Sequence, residues 1–201
     1  DTELMRLAKE SGCGALFIGL ESVSTHQLRK MRKSIKDIEG LETAIKKIKD
    51  TGIHLHASMV FGFDDDTNDI FYETLKFLNK NKVGSSAFSI LTPYPGTRLY
   101  KRLKEENRII TEDWRYYDHN TVVFKPENMT PMQLHNGRLW ILKEFTKISS
   151  VLKRLPYNMS HPLLYLALNK GSRIATKNET DNVKKTKDKT DIFLKGTTPF
   201  K

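Results

Sequence analysis

Three short apolar runs mark the first half of the chain: Ala15-Leu16-Phe17-Ile18-Gly19-Leu20, Leu55-His56-Ala57-Ser58-Met59-Val60-Phe61 and Ala87-Phe88-Ser89-Ile90-Leu91. Each is rich in β-formers and bounded by Gly or Pro, which predicts buried strands. Between them the period changes. Ile38, Leu41, Ile45 and Ile48 step by three, four and three along one helix face, and Gly52 stands where such a helix stops. Ile70, Thr74, Leu75 and Leu78 mark a second helix, with Asp66 or Thr67 as its N-cap. Strand, helix, strand, helix, strand predicts parallel strands joined by helical crossovers, an α/β protein whose sheet is covered on both faces.

After Leu91 the pattern loosens. Pro93, Pro95 and Gly96 make a sharp loop, and Thr97 caps a short helix reaching about Asn107. A polar stretch with Trp114, Tyr116 and Tyr117 leads to a strand-like run, Val122-Val123-Phe124. Thr130 as N-cap, Pro131 at the first helical position and Gln133 as capping-box partner predict a strong helix start. Leu134, Ile141, Phe145, Ile148, Leu152 and Leu155 then form one apolar stripe of a single long helix, stopped by Pro156. A shorter helix is expected from Pro162 to Lys170. From Gly171 on, the Lys/Thr/Asn/Asp-rich composition predicts disorder.

Composition narrows the classes. The chain has 201 residues, 38% hydrophobic and 29% charged, ordinary values for a soluble globular protein with one core and an appendage. Its single cysteine, Cys13, excludes a disulfide scaffold, and the chain alone cannot supply the thiolates of an Fe–S cluster or a Cys-rich zinc site. No apolar run approaches the ~18–20 residues of a membrane span. The opening Asp1-Thr2-Glu3 is neither a signal peptide nor a start codon's Met, so a processed start or a piece of a longer chain is expected. The net charge of +10 is uneven: residues 1–130 hold 20 Lys/Arg against 19 Asp/Glu, residues 131–201 hold 14 against 5. A near-neutral main body argues against nucleic acid as a partner. The basic C-terminal third suits an anionic membrane surface, or simply a solvated tail.

Candidate chemistry gathers at strand ends. Glu21 follows the first strand directly, and in parallel α/β folds the carboxyl ends of strands face the active site. It could accept hydrogen bonds from ligand hydroxyls or an amine, or cap the next helix. Gly62 after Phe61 permits a tight turn and close ligand approach. Asp64, Asp65 and Asp66 lack EF-hand spacing and suit a helix start better than a metal. His54 and His56 share a strand face, but no third metal ligand is identifiable, so a structural role is preferred. His26, His119, His135 and His161 have no recognisable partners, and GxSxG, P-loop and HExxH motifs are absent. Trp114, Tyr116 and Tyr117 line a pocket or cover the sheet. These residues by themselves describe a parallel α/β protein with a ligand edge at Glu21, Gly62 and Pro93.

Taken in order, the motifs resemble a known family. Gly19-Leu20-Glu21-Ser22 with Leu28 and Met31-Arg32-Lys33 resembles the fourth strand and following helix of radical S-adenosylmethionine (SAM) enzymes. Ser58-Met59-Val60-Phe61-Gly62-Phe63 with Asp66-Thr67 resembles their fifth strand, and Leu91-Thr92-Pro93-Tyr94-Pro95-Gly96-Thr97-Arg98-Leu99-Tyr100 their sixth. Val122-Val123-Phe124-Lys125-Pro126 followed by Asn128-Met129-Thr130-Pro131 is similar to the branch with a cobalamin-binding domain, a radical SAM barrel and a helical C-terminal domain, which includes hopanoid methylases. The resemblance covers about residues 1–170.

That resemblance implies the C-terminal half of a partial (β/α)6 TIM-like barrel over residues 1–110, a helical C-terminal domain over 111–170 and a basic tail over 171–201. Glu21 and Ser22 would lie near the ribose or methionine part of SAM. Ser58, Val60 and Gly62 would line the fifth-strand adenine motif, and Thr92, Pro93 and Tyr94 the wall against the adenine. Ser58 stands where the motif usually has Gly, and Asp65 where it has Glu. The CxxxCxxC cluster motif is missing, so the 4Fe–4S ligands, the first strands and any cobalamin domain would lie outside this chain. Within it no metal site is expected, and no catalytic residue is assigned. The implied protein is cytoplasmic, with membrane-surface association through its basic third. Its activity would be cobalamin-dependent methyl transfer to a carbon of a lipid-like or secondary-metabolite molecule, with this segment inactive alone. The alternatives are a methylthiotransferase-like enzyme acting on RNA or protein, and a non-catalytic truncated relic.

Overall fold

The computed structural model describes residues 2–31, 35, 37–158 and 161–185. Arg32 and Lys33 of the fourth-strand resemblance, and the tail beyond Lys185, lie outside the described residues. The elements run α1 (Thr2–Glu10), β1 (Ala15–Glu21), α2 (Thr25–Lys30), α3 (Ile38–Asp50), β2 (His54–Phe61), α4 (Ile70–Lys80), β3 (Ser85–Ile90), α5 (Arg98–Glu105), α6 (Pro131–Thr146), α7 (Ile148–Lys153) and α8 (Pro162–Lys185). The protein is α/β, with a three-stranded parallel sheet in the order β1-β2-β3. Val122–Phe124 makes no strand; Phe124 forms one antiparallel bridge to Ile109.

Local chemistry sets most boundaries. Ser24 caps α2 by accepting from the Gln27 amide, Asp37 caps α3 at the Gly40 amide (2.8 Å), and Thr97 caps α5 at the Tyr100 amide. Thr130 and Gln133 form the reciprocal capping box of α6, with Pro131 at its first turn. α4 starts later than expected: Asp69 is its N-cap, and Asp66 is engaged elsewhere.

One face of the sheet is the core. Leu55, Ala57, Met59 and Phe61 of β2 and Phe88 and Ile90 of β3 are buried under α3, α4 and α6. Their rings interlock: Phe61 lies 4.8 Å from Phe71 of α4, and Phe88 5.2 Å from Phe145 of α6. α4 and α6 approach closely because residue 137 is glycine; a Cβ there would lie 2.0 Å from the Phe71 ring. The other face is not covered as parallel sheets usually are. His56, Ser58 and Val60 of β2 and Ala87 and Ser89 of β3 are only half-buried, and Phe17 of β1 is 69% exposed.

The long helix expected from Thr130 to Leu155 is broken at Lys147 (φ −59°, ψ 142°). The break lets Arg154 fold back. Its guanidinium is fully buried, donates to the Phe145 carbonyl (2.9 Å) and lies 3.5 Å over the Phe145 ring. Ile148, Leu152 and Leu155, the second half of the expected stripe, consequently face solvent. The last helix, expected to end near Lys170, continues to Lys185.

The sheet's two edges differ. At β3 the Phe88 carbonyl accepts from Arg138 Nε (2.8 Å) and the Ile90 amide donates to the His119 carbonyl (2.7 Å). β1 pairs with β2 alone among the described residues. Beside it lies an apolar cavity of about 340 Å³, lined by Ile18, Leu20, Leu28, Leu41 and Ile45 among others.

Candidate functional site

The parallel register brings three strand ends to one rim. Gly19 pairs with Ser58 and Ser58 with Ala87, while Val60 pairs with Ser89. Small side chains thus floor the half-exposed face just below the rim. A bulge between Gly19 and Glu21 interrupts the β1 ladder, and Glu21 opposes Met59 in the left-handed region (φ 70°). Such a conformation costs a non-glycine residue of order 1 kcal/mol or more and concentrates at functional sites. The Leu91 amide donates to the Phe61 carbonyl (2.8 Å), tying the ends of β2 and β3 together.

The eight expected site residues separate by what they can offer. Glu21, Ser58, Val60 and Thr92 are half-buried at or below the rim. Thr92 spends its hydroxyl proton on the Ile90 carbonyl (3.0 Å), leaving the oxygen as an acceptor. Pro93 is buried and Tyr94 projects; the Tyr94 hydroxyl lies 2.8 Å from His119 Nε2 and 3.2 Å from the Tyr117 carbonyl. Ser22 is buried, and its hydroxyl accepts from the Ser24 amide (3.0 Å), which places it in the turn before α2. Gly62 has φ 102°, and a Cβ there would meet Leu134 at 2.9 Å and Phe124 at 3.2 Å. Its bare side therefore serves packing against the helix layer.

The three aspartates after Gly62 go three ways. Asp64 pairs with Arg102 (2.8 Å) and Arg108 (2.9 Å). Asp65, placed by motif position as the equivalent of a glutamate, turns to α2: it meets Lys30 (2.9 Å), His26 (2.9 Å) and Gln27. The Lys30 ammonium and the His26 contact hold its carboxyl below the usual range. Asp66 is the one that shapes the rim. It is buried, and one oxygen accepts from the Gly62 (2.9 Å) and Phe63 (3.1 Å) amides. Burial, reinforced by the charges of Asp65 and Asp64, pushes its carboxyl up to about 6 against the pull of those amides. Its second oxygen has no hydrogen-bond partner among the described residues. The signal available in the sequence was its spacing, four residues after a strand-end glycine.

The opposite end of the sheet is histidine-rich. His54 Nε2 and His56 Nδ1 each lie 2.7 Å from the Ser85 hydroxyl, and Phe17 stacks on His56 at 5.2 Å. Burial, then the neighbouring His56, pushes His54 down to about 4. The third partner of this pair is a hydroxyl. Among the described residues no group of three His, Cys, Asp or Glu is arranged to hold a metal.

No protein-family model matches the chain. It is 31% identical over 153 residues to a bacteriochlorophyllide d C-12(1)-methyltransferase of Chlorobaculum tepidum, covering 76% of this chain and 33% of that protein. It is 33% identical over 132 residues to an uncharacterised methyltransferase of Pyrococcus horikoshii, 66% of this chain and 28% of the relative. It is 21% identical over 159 residues to the hopanoid C-2 methylase of Rhodopseudomonas palustris, 79% of this chain and 29% of the relative. These homologues are methyltransferases of the radical SAM superfamily. The chain spans about a third of the length of the curated relatives it matches.

Proposed function

We propose that the chain forms one wall of the SAM pocket in a radical SAM methyltransferase, as the C-terminal part of a half-open (β/α)6 barrel followed by a helical domain. The observation that carries this is the rim itself: Glu21, strained at the end of β1, shares one sheet end with the small-residue floor of Ser58 and Ala87 and the Thr92-Pro93 segment after β3. The donor chemistry fits SAM. A carboxylate suits the ribose hydroxyls or the ammonium group, and the half-buried Val60 offers apolar contact to a purine. The same residues do not fit an iron–sulfur cluster: Cys13 is the one thiol and precedes β1, at the far end from Glu21. Cluster and cobalamin would be held by residues outside this chain. The apolar cavity beside β1 is the space a preceding strand–helix unit would fill.

SAM, when bound, would supply the methyl group and the radical chemistry that methylates an unactivated carbon. The chain's own residues would bind and orient it. Glu21 accepts hydrogen bonds; Val60 excludes water from the base, with Pro93 buried behind the rim; Asp66 fixes the Gly62–Phe63 turn that ends β2. The helical segment after residue 130 favours this reading over a methylthiotransferase-like enzyme with an added β-domain. A large, mostly apolar substrate is supported by relatives named for bacteriochlorophyllide and hopanoid.

The test is SAM binding by calorimetry to the protein carrying its full reading frame, prepared anaerobically. Glu21→Ala should weaken SAM at least tenfold and leave the cluster's electron paramagnetic resonance signal unchanged in the absence of SAM. Equal affinity in variant and parent overturns the assignment of Glu21. A full-length protein that assembles no cluster and binds no SAM overturns the enzyme reading.

A further inference from the structure

α8 turns three of its aliphatic side chains outward, while Leu164 and Leu168 are half-buried. The rest of its inward side, Tyr165, Asn169, Thr176 and Glu179, is mainly polar. Asn169 donates to the Gly84 carbonyl (3.1 Å), Glu179 pairs with Arg138 (2.5 Å), and the Tyr165 hydroxyl donates to the Val151 carbonyl (2.7 Å). On the opposite side Leu163, Leu166 and Ile174 are 80%, 57% and 53% exposed. At 3.6 residues per turn these three fall with Lys170 and Lys177 into one arc of about 80°, with Arg173 at its margin. From Leu163 to Lys177 the helix has three cations and no Asp or Glu.

We propose that this outward face of α8 rests on an anionic lipid surface, with the apolar side chains among the headgroups and the cations on lipid phosphates. Charge complementarity selects the occupant. Cations of one sign interleaved with aliphatic residues on one face, over several turns, is the pattern of interfacial helices. Lys and Arg stems lie along apolar surface while their charged ends reach the phosphates. A protein interface would instead concentrate apolar and aromatic residues at a core depleted of charge. The excess of 14 Lys/Arg over 5 Asp/Glu in residues 131–201 gives this end of the molecule the same sign. The inward polar contacts already satisfy the helix's other side, so docking requires no unfolding. The proposal does not depend on the SAM pocket.

It is tested by co-sedimenting the 201-residue chain with vesicles of phosphatidylcholine alone and of phosphatidylcholine with one-third phosphatidylglycerol. Partitioning should be at least tenfold stronger on the anionic vesicles and should fall as salt is raised. The double variant Leu163→Glu/Leu166→Glu and the triple variant Lys170→Glu/Arg173→Glu/Lys177→Glu should each lose tenfold or more. All these side chains are exposed, so thermal melts should match the parent. Equal binding to both vesicle types, no binding, or binding that both variants retain overturns the proposal. So does a concentration-dependent oligomer in light scattering that the leucine variant abolishes, since that makes the face a protein contact.

Discussion

Asp66 is the residue whose chemistry departs furthest from its surroundings. Its carboxyl titrates near 6 in the folded protein and near 3.8 when unfolded. A raised carboxylate contributes stability that is fully present below the unfolded value and is lost as pH rises through the folded one. Asp66→Asn keeps an acceptor for the Gly62 and Phe63 amides and removes the charge. The melting temperature of this variant relative to the parent should therefore rise between pH 4.5 and pH 7.5, and a constant difference would mean that Asp66 ionises normally. Asp66→Ala should cost about 2 kcal/mol, because a buried and a half-buried amide lose their acceptor, readable by urea denaturation at pH 4.5. His54 works in the opposite sense. Its folded value near 4 lies below the ordinary 6.5, so its contribution is lost as pH falls from about 6.5 towards 4. The sequence marked the strand end at Gly62 but not which of three adjacent carboxylates turns inward. That choice is made by Arg102 and Arg108 on one side and Lys30 on the other, residues distant in the chain.

At the level of elements, local signals and tertiary contacts divide the outcome. The three strands, α3 and the start of α6 were legible because their determinants are local: β-rich runs, a 3-4-3 apolar step and the Thr130-Pro131-Gln133 cap. The break after Thr146 was not, because Arg154 decides it. That guanidinium links α6 through the Phe145 carbonyl, α4 through Asn79 (3.3 Å) and α8 through Asn169 (3.3 Å). Burial pushes it down to about 10, and its hydrogen-bond partners are neutral acceptors. Arg154→Met should destabilise the protein by about 3 kcal/mol, since three helices lose a shared donor. Chemical denaturation checks this, and a loss below 1 kcal/mol would show that α6, α7 and α8 hold together without it. α8 runs past Lys170 for a related reason: beyond that point its inward residues, Thr176 and Glu179, are a hydroxyl and a carboxylate, which composition alone assigns to solvent.

For the whole molecule, the contrast between the two sheet edges governs behaviour. Among the described residues β1 pairs with a strand on one side alone, with Phe17 exposed and an apolar cavity alongside. Edges of this kind recruit further strands. The 201-residue chain should self-associate reversibly in sedimentation velocity runs, and Phe17→Lys should shift it towards monomer. A parent that stays monomeric at every concentration would contradict this. The seal over β3 sets the limit of that growth. Arg138 and the His119 carbonyl act as a chain stopper, so each molecule can accept a neighbour at one end only. Two copies meeting edge to edge about a twofold axis leave both outer rims blocked. Polymerisation of such a one-ended unit terminates at its first step, which yields a closed dimer where a two-ended sheet would give a fibre.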